Sequence, residues 1–145
     1  MGRIRTPGRT RTAGRTRTGN NTRTAKGLRK QALGNRGEDL AAEFLEDAGL
    51  VVLERNFRCA RGELDIIARD GDTAVFVEVK TRRTAMLGSP LEAVTRTKLV
   101  RIRTLAGIWL SGQDEYFPST RIDALGILME PRVQYFHCPN IQVDS

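Results

Sequence analysis

Residues 62–81 read G-E-L-D-I-I-A-R-D-G-D-T-A-V-F-V-E-V-K-T, and their spacing predicts two strands around a turn. Leu64, Ile66 and Ala68 alternate with Glu63, Asp65 and Ile67. Beyond Asp70-Gly71-Asp72, Val75, Val77 and Val79 alternate with Phe76, Glu78 and Lys80. Successive strand side chains point to opposite faces, so each strand is expected to carry one apolar face and one charged face. If the apolar faces share a core, the hairpin pairs Asp65 with an even-numbered residue through a two- or four-residue loop around Gly71. The four-residue loop sets Asp65 directly across from Glu78; an Asp70-Gly71 turn makes the two diagonal neighbours. In both registers Asp65, Glu78 and Lys80 converge on one patch.

Like charges opposed on a sheet cost roughly 0.2–1 kcal/mol, so something must offset the two carboxylates. Lys80 does so alone as an ion pair on a solvated face, or a divalent cation does so, because hard cations such as Mg²⁺ prefer oxygen ligands and keep several waters. Both readings stay open on spacing. His137 is the only histidine and is expected to be structural. Paired-histidine nucleases, His-ligated metal sites and Ser-His or Cys-His nucleophiles are therefore disfavoured. Catalysis, if present, rests on carboxylates, lysine and a metal.

The 145 residues suit one domain with one modest core. The net charge of +7 conceals a split: residues 1–36 hold 11 Lys/Arg and no acid, leaving 13 basic residues against all 17 acids, a net −4. Residues 2–19 repeat a degenerate hexapeptide, G-R-I-R-T-P, G-R-T-R-T-A, G-R-T-R-T-G, that buries nothing. Residues 1–33 are thus expected to be a disordered basic tail and residues 34–145 the folded domain. The tail acts either as an electrostatic arm for nucleic-acid phosphates or as a solubilising extension; without aromatics it is not expected to read sequence. Cys59 and Cys138 lack C-x-x-C spacing and show no zinc site. No apolar run approaches the roughly 18 residues of a membrane helix. The N-terminus has no secretory apolar core, so the expected location is cytoplasmic.

A helix is predicted over Asn35 to Ala48, capped by Asn35 and followed by Gly49, with Leu40, Ala41, Phe44, Leu45 and Ala48 as its buried stripe. Glu38 either completes a capping box with Asn35 or borders the stripe and faces the hairpin. Leu50 to Arg58 reads as a strand. Ser89-Pro90 is expected to open a second long helix whose packed side holds Leu91, Val94, Leu99, Ile102, Leu105, Ala106 and Trp109. Arg82 and Arg83 after the hairpin, with Arg96, Lys98, Arg101 and Arg103 on that helix, form either the phosphate-facing rim of a cleft or a solvated face. Arg121 to Met129 suits a strand buried on both faces, and Val133 to Cys138 a last short one.

The predicted order, α-β-β-β-α-β-β, is an α/β sandwich with a central mixed sheet between helices. Four blocks within it, L-G-N-R-G-E-D-L-A-A-E-F-L, N-F-R-C-A-R-G-E-L-D-I-I-A-R-D-G-D, V-F-V-E-V-K-T-R and S-P-L-E-A-V-T-R-T-K-L-V-R-I, resemble the bacterial YraN family. That family is placed in the restriction-endonuclease-like, PD-(D/E)xK nuclease superfamily, near Holliday-junction resolvases. The resemblance runs from about Leu33 to Met129 and excludes the Arg-Thr tail. It implies a restriction-endonuclease-like fold, Asp65 and Glu78 as ligands of Mg²⁺ or Mn²⁺, Lys80 as catalytic lysine and Glu38 as the helix acid completing the site. Leu64 stands where the superfamily's motif has proline, and Glu63 adds a neighbouring acid.

The implied activity is a metal-dependent endonuclease that hydrolyses phosphodiesters in structured or branched DNA. Resolvase-like relatives act as dimers, so a homodimer is a further expectation, although no dimer face is legible. A non-catalytic nucleic-acid-binding protein on the same fold is the alternative, and a structural partner protein with a charged face is a third.

Overall fold

The computed structural model describes residues 21–142. Two compact units divide the chain, Met1–Ala32 and Leu33–Ser145. Helix α1 spans Asn21–Asp47, so it begins 14 residues before the predicted cap at Asn35 and takes in part of the segment expected to be disordered. Ala25, Lys26, Leu28, Arg29, Lys30, Gln31 and Ala32 are good helix formers and include no proline, which outweighs their lack of an apolar stripe. The Arg-Thr repeat, residues 2–19, lies outside the described residues. Gly49, at φ 96°, ends the helix where a side chain would be strained, and the Leu50 N–H returns to the Leu45 carbonyl at 3.0 Å.

Five strands follow: β1 Val51–Cys59, β2 Gly62–Asp70, β3 Thr73–Arg82, β4 Ser119–Leu128 and β5 Gln134–Cys138. They form one sheet in the order β1-β2-β3-β4-β5. Only β3 and β4 are parallel, and the crossover between them carries helix α2, Arg96–Ser111. The result is a mixed α/β fold with two helices, as the element order predicts.

The sheet is buried on both faces, not on the single face that the alternation suggests. Ile66, Ala68, Val75, Val77, Leu125 and Ile127 pack with Ala41 and Leu45 of α1. Ile67, Ala74 and Phe76 pack with Leu99, Ile102, Leu105 and Trp109 of α2. Ala48, expected in the α1 stripe, is exposed. Ile66 to Ala68 of β2 and Ala74 to Val77 of β3 are therefore apolar and buried on both sides, and Asp65 and Glu78 interrupt the strands just beyond them.

Two further expectations are corrected. Pro90–Ala93 is a separate 3₁₀ turn capped by Ser89, and α2 starts afresh at the Thr95 cap, whose Oγ1 accepts the Lys98 N–H at 3.2 Å. Strand β1 is irregular, with a bulge between Val52 and Glu54 and Asn56 at φ 56°.

Candidate functional site

The β2–β3 ladder pairs Asp70 with Thr73, leaving Gly71-Asp72 as a two-residue loop. Gly71 takes its first position at φ 63°, as Gly-first hairpin turns require. The ladder ends at Ile66↔Val77, one step short of Asp65 and Glu78. This is the register expected of a four-residue loop, reached with a shorter one. At that step the ladder gives way to a side chain: Asp65 Oδ2 accepts the Val79 N–H at 2.8 Å. Asp65 thus stands where β2 and β3 stop pairing with each other, while β2 goes on pairing with β1 as far as Gly62 and β3 with β4 as far as Arg82.

Burial, and after it the charge of Glu78, pushes the Asp65 carboxyl up to about 7. Asp65 therefore favours its neutral form in the folded chain. Between the ordinary carboxylate pKa and about 7 the native state holds a proton that the unfolded chain has lost, so stability from this group falls as pH rises through that window. Asp65→Asn keeps the acceptor for Val79 and removes the titration. Denaturant melts between pH 4 and 8 are expected to show a flatter pH dependence in Asp65→Asn than in wild type, with the variant the more stable at pH 8. Parallel profiles would exclude this reading.

Asp65 is half-buried and Glu78 is buried, and the charge of Glu78 is met from an unexpected direction. Lys98 Nζ on α2 lies 2.8 Å from Glu78 Oε2, whose side chain is only 10 % exposed. Lys98 was expected on a phosphate rim or a solvated helix face; instead its ammonium meets Glu78 in the acid patch. Sequence spacing on β3 drew attention to Lys80 as the local cation, because a contact from a helix 20 residues away leaves no periodic signal. By strand alternation Glu78, Lys80 and Arg82 share the α2 side of β3. Arg82 Nε is buried there without a hydrogen-bond partner among the described residues.

Two close approaches fix the walls. Gly126, paired with Lys80, has room for no side chain: a Cβ there would stand 2.8 Å from Pro90 Cβ, so the Pro90–Ala93 turn presses directly on β4. On the other face a Cβ at Gly37 would overlap Thr81 Oγ1 and stand 2.8 Å from Thr81 Cβ. Gly37 thus lets α1 approach β3 and seats Glu38. Glycine to alanine in a helix normally gains about 1 kcal/mol, but this clash reverses the sign. Gly37→Ala is expected to destabilise the fold by about 1–3 kcal/mol, read as a lower urea midpoint; a raised midpoint would show that the helix yields freely.

Glu38 does not form the capping box, because Asn35 lies within α1. Its Oε1 instead accepts from Asn56 Nδ2 at 2.9 Å and lies 3.4 Å from Arg55 Nη2. Its charge adds a smaller contribution to the raised Asp65 pKa. Glu63, the extra acid, pairs with Arg58 at 3.7 Å. Among the described residues no group of three His, Cys, Asp or Glu side chains is gathered closely enough to hold an ion. Asp65 and Glu78 are the two carboxylates of this patch that could hold one. Two hard-oxygen carboxylates fit a cation of the Mg²⁺ type, which commonly takes one or two carboxylates and completes its shell with waters and phosphate oxygens.

The six basic residues do not make one rim. Arg101 stays on the acid side, its Cδ 3.7 Å from where a Gly62 side chain would begin. Arg103 lines a separate cavity of about 310 Å³ with Phe76, Ile122 and Ile141. Arg83 and Arg96 are exposed. The carbonyls of Arg82 and Arg83 accept the Met129 and Glu130 N–H groups. His137 has the structural role expected, 2.9 Å from the buried Asp123 carboxylate and edge-on to Phe44. Both cysteines are free thiols. No helix of the described chain is long and apolar enough to cross a membrane.

Residues 37–127, which hold this patch, match the family described as "Uncharacterised protein family UPF0102". A UPF0102 protein of Nocardia farcinica (strain IFM 10152) is 57 % identical over 102 residues, covering 70 % of this chain and 80 % of the relative. One from Beutenbergia cavernae is 54 % identical over 99 residues, covering 68 % and 84 %. A third, from Streptomyces griseus subsp. griseus, is 52 % identical over 102 residues, covering 70 % and 86 %.

Proposed function

The chain belongs to the UPF0102, YraN-like family, and from that premise we propose that it is a cytoplasmic, divalent-metal-dependent endonuclease of structured or branched DNA with a restriction-endonuclease-like fold. The observation that carries this reading is the pairing of half-buried Asp65 with buried Glu78 at the point where β2 and β3 stop pairing. Two neighbouring carboxylates withdrawn from water are costly unless a proton or a cation offsets their charge.

Mg²⁺ or Mn²⁺ held by Asp65 and Glu78 would supply an activated water and neutralise phosphate charge. The remaining work falls to the chain itself. Lys80, on the same side of β3, places an ammonium beside the scissile phosphate, where it stabilises charge growing on the oxygens. Arg82 Nε, buried without a partner among the described residues, is satisfied by a phosphate oxygen of the bound strand. Arg101 extends positive charge along the same side, and Arg83 and Arg96 are free to meet flanking phosphates. Glu38, anchored by Asn56, adds negative potential at Asp65 without being a direct ligand. Each site cuts one strand, so cleavage across a branch calls for a homodimer.

The test is incubation of the purified chain with a panel of branched and linear DNA in Mn²⁺, Mg²⁺ or EDTA. Product formed only with metal, and preferentially from branched DNA, supports the reading. Salt-sensitive binding without product replaces it with a non-catalytic nucleic-acid-binding protein. Failure to bind DNA at low salt points to a structural partner protein.

A further inference from the structure

Among the described residues Glu78 has one ion-pair partner, Lys98, at 2.8 Å. The pair crosses from the first turn of α2 to the middle of β3, and both side chains are largely withdrawn from water, at 29 % and 10 % exposure. A divalent cation binds a carboxylate oxygen at about 2.0–2.1 Å. An ammonium within hydrogen-bonding distance of the same carboxylate would then face two like charges in a medium that screens them poorly. Lys98 and a metal ion therefore compete for Glu78.

The lysine arm suits such an exchange. It is a compact charge on a flexible four-carbon stem, unlike the rigid fork of arginine. Its cap is local, since the Lys98 backbone N–H is held by Thr95, so the side chain can swing while the helix stays in place. Arg101, one turn on, is exposed and lies next to Gly62. A released Lys98 joins it on the side of the sheet where Lys80 and Arg82 stand.

We propose that Lys98 is a place-holding cation, occupying Glu78 until a divalent metal takes that carboxylate and then serving as a phosphate-binding group beside Arg101. This rests on the metal-binding reading above. It adds a consequence that reading does not contain, namely that metal entry and the arming of a substrate-binding lysine are one event. It also accounts for the pairing of an isolated helix lysine with a strand acid when Lys80 is only two residues away.

Calorimetric Mn²⁺ titration of the full chain tests this without any cleavage assay. Lys98→Met is expected to bind Mn²⁺ more tightly than wild type, by roughly 5- to 150-fold, the usual span of coupling between two ligands. Lys98→Arg, which keeps a cation at Glu78, stays within a few-fold of wild type. Amine acylation of wild-type protein gives an independent readout: labelling of Lys98 rises along the Mn²⁺ isotherm, while the exposed Lys26 and Lys30 label at constant rates. If Lys98→Met does not fold, this labelling decides alone. Equal affinity in Lys98→Met, or flat Lys98 labelling through Mn²⁺ saturation, overturns the place-holder and leaves the metal site standing. Absence of Mn²⁺ binding in every variant, Glu78→Gln included, removes both.

Discussion

Asp65→Ala, Glu78→Ala and Lys80→Ala will each lower metal-dependent cleavage of branched DNA by at least about 10²-fold, the scale on which one preorganised charge at a reacting phosphate acts. The three act differently on everything else. Asp65→Ala removes a half-buried acid whose ionised form is disfavoured, so the fold loses only the acceptor for the Val79 N–H. Glu78→Ala strands the Lys98 ammonium, an uncompensated half-buried charge, so Glu78→Gln is the cleaner companion; by taking away a neighbouring negative charge it also moves the Asp65 pKa down from about 7. Lys80→Ala leaves both carboxylates in place and is expected to keep Mn²⁺ affinity while losing turnover. Circular dichroism and a Mn²⁺ titration alongside the cleavage assay separate these effects. Unchanged cleavage in all three variants would sink the proposed site.

The acid patch is legible in the sequence because strand alternation is a local rule. Once Asp65 and Glu78 are placed on strands joined by a Gly71 turn, an even-numbered partner for Asp65 follows from the pleat, whichever loop closes it. The mixed α/β order is legible for the same reason. What escapes is whatever depends on a second element. Lys98 reads as one of several surface cations until α2 is laid across the sheet. The two-sided burial of β2 and β3 escapes because Asp65, Glu78 and Lys80 give the strands an amphipathic look, although they lie to one side of the segment where β2 and β3 pair. Asn35 followed by Glu38 is a valid cap signature, overridden because the preceding residues continue the helix. Leu64 and Ile66, two residues apart, fall in different cores, a switch that accompanies the irregular backbone of β1 at Asn56 and leaves no trace in hydrophobic spacing.

Asp123 is the largest feature that the hydrophobic pattern conceals, and replacing it is expected to cost more stability than any change at the acid patch. It lies within the apolar run of β4, reads as a lone interruption, and is fully buried. Four contacts hold its carboxylate: Arg121 Nε at 3.0 Å and Nη2 at 3.4 Å, His137 Nε2 at 2.9 Å and the Asn140 N–H at 2.9 Å. These tie β4 to β5 and to the segment beyond it, where Asn140 and Ile141 border the cavity containing Arg103. Asp123→Ala leaves a buried guanidinium edge, an imidazole and a backbone donor without their acceptor, a loss of about 3–5 kcal/mol for breaking a buried ion pair from one side. The melting temperature should fall by on the order of 10 °C or more. Asp70→Ala is the control, because it removes only the exposed partner of the same arginine, 2.9 Å from Arg121 Nη1, and is expected to cost less than about 1 kcal/mol. A small, equal effect of the two substitutions would mean that water replaces the Asp123 carboxylate at little cost, and that β5 is held by Phe44 stacking on Tyr135 and not by this polar knot.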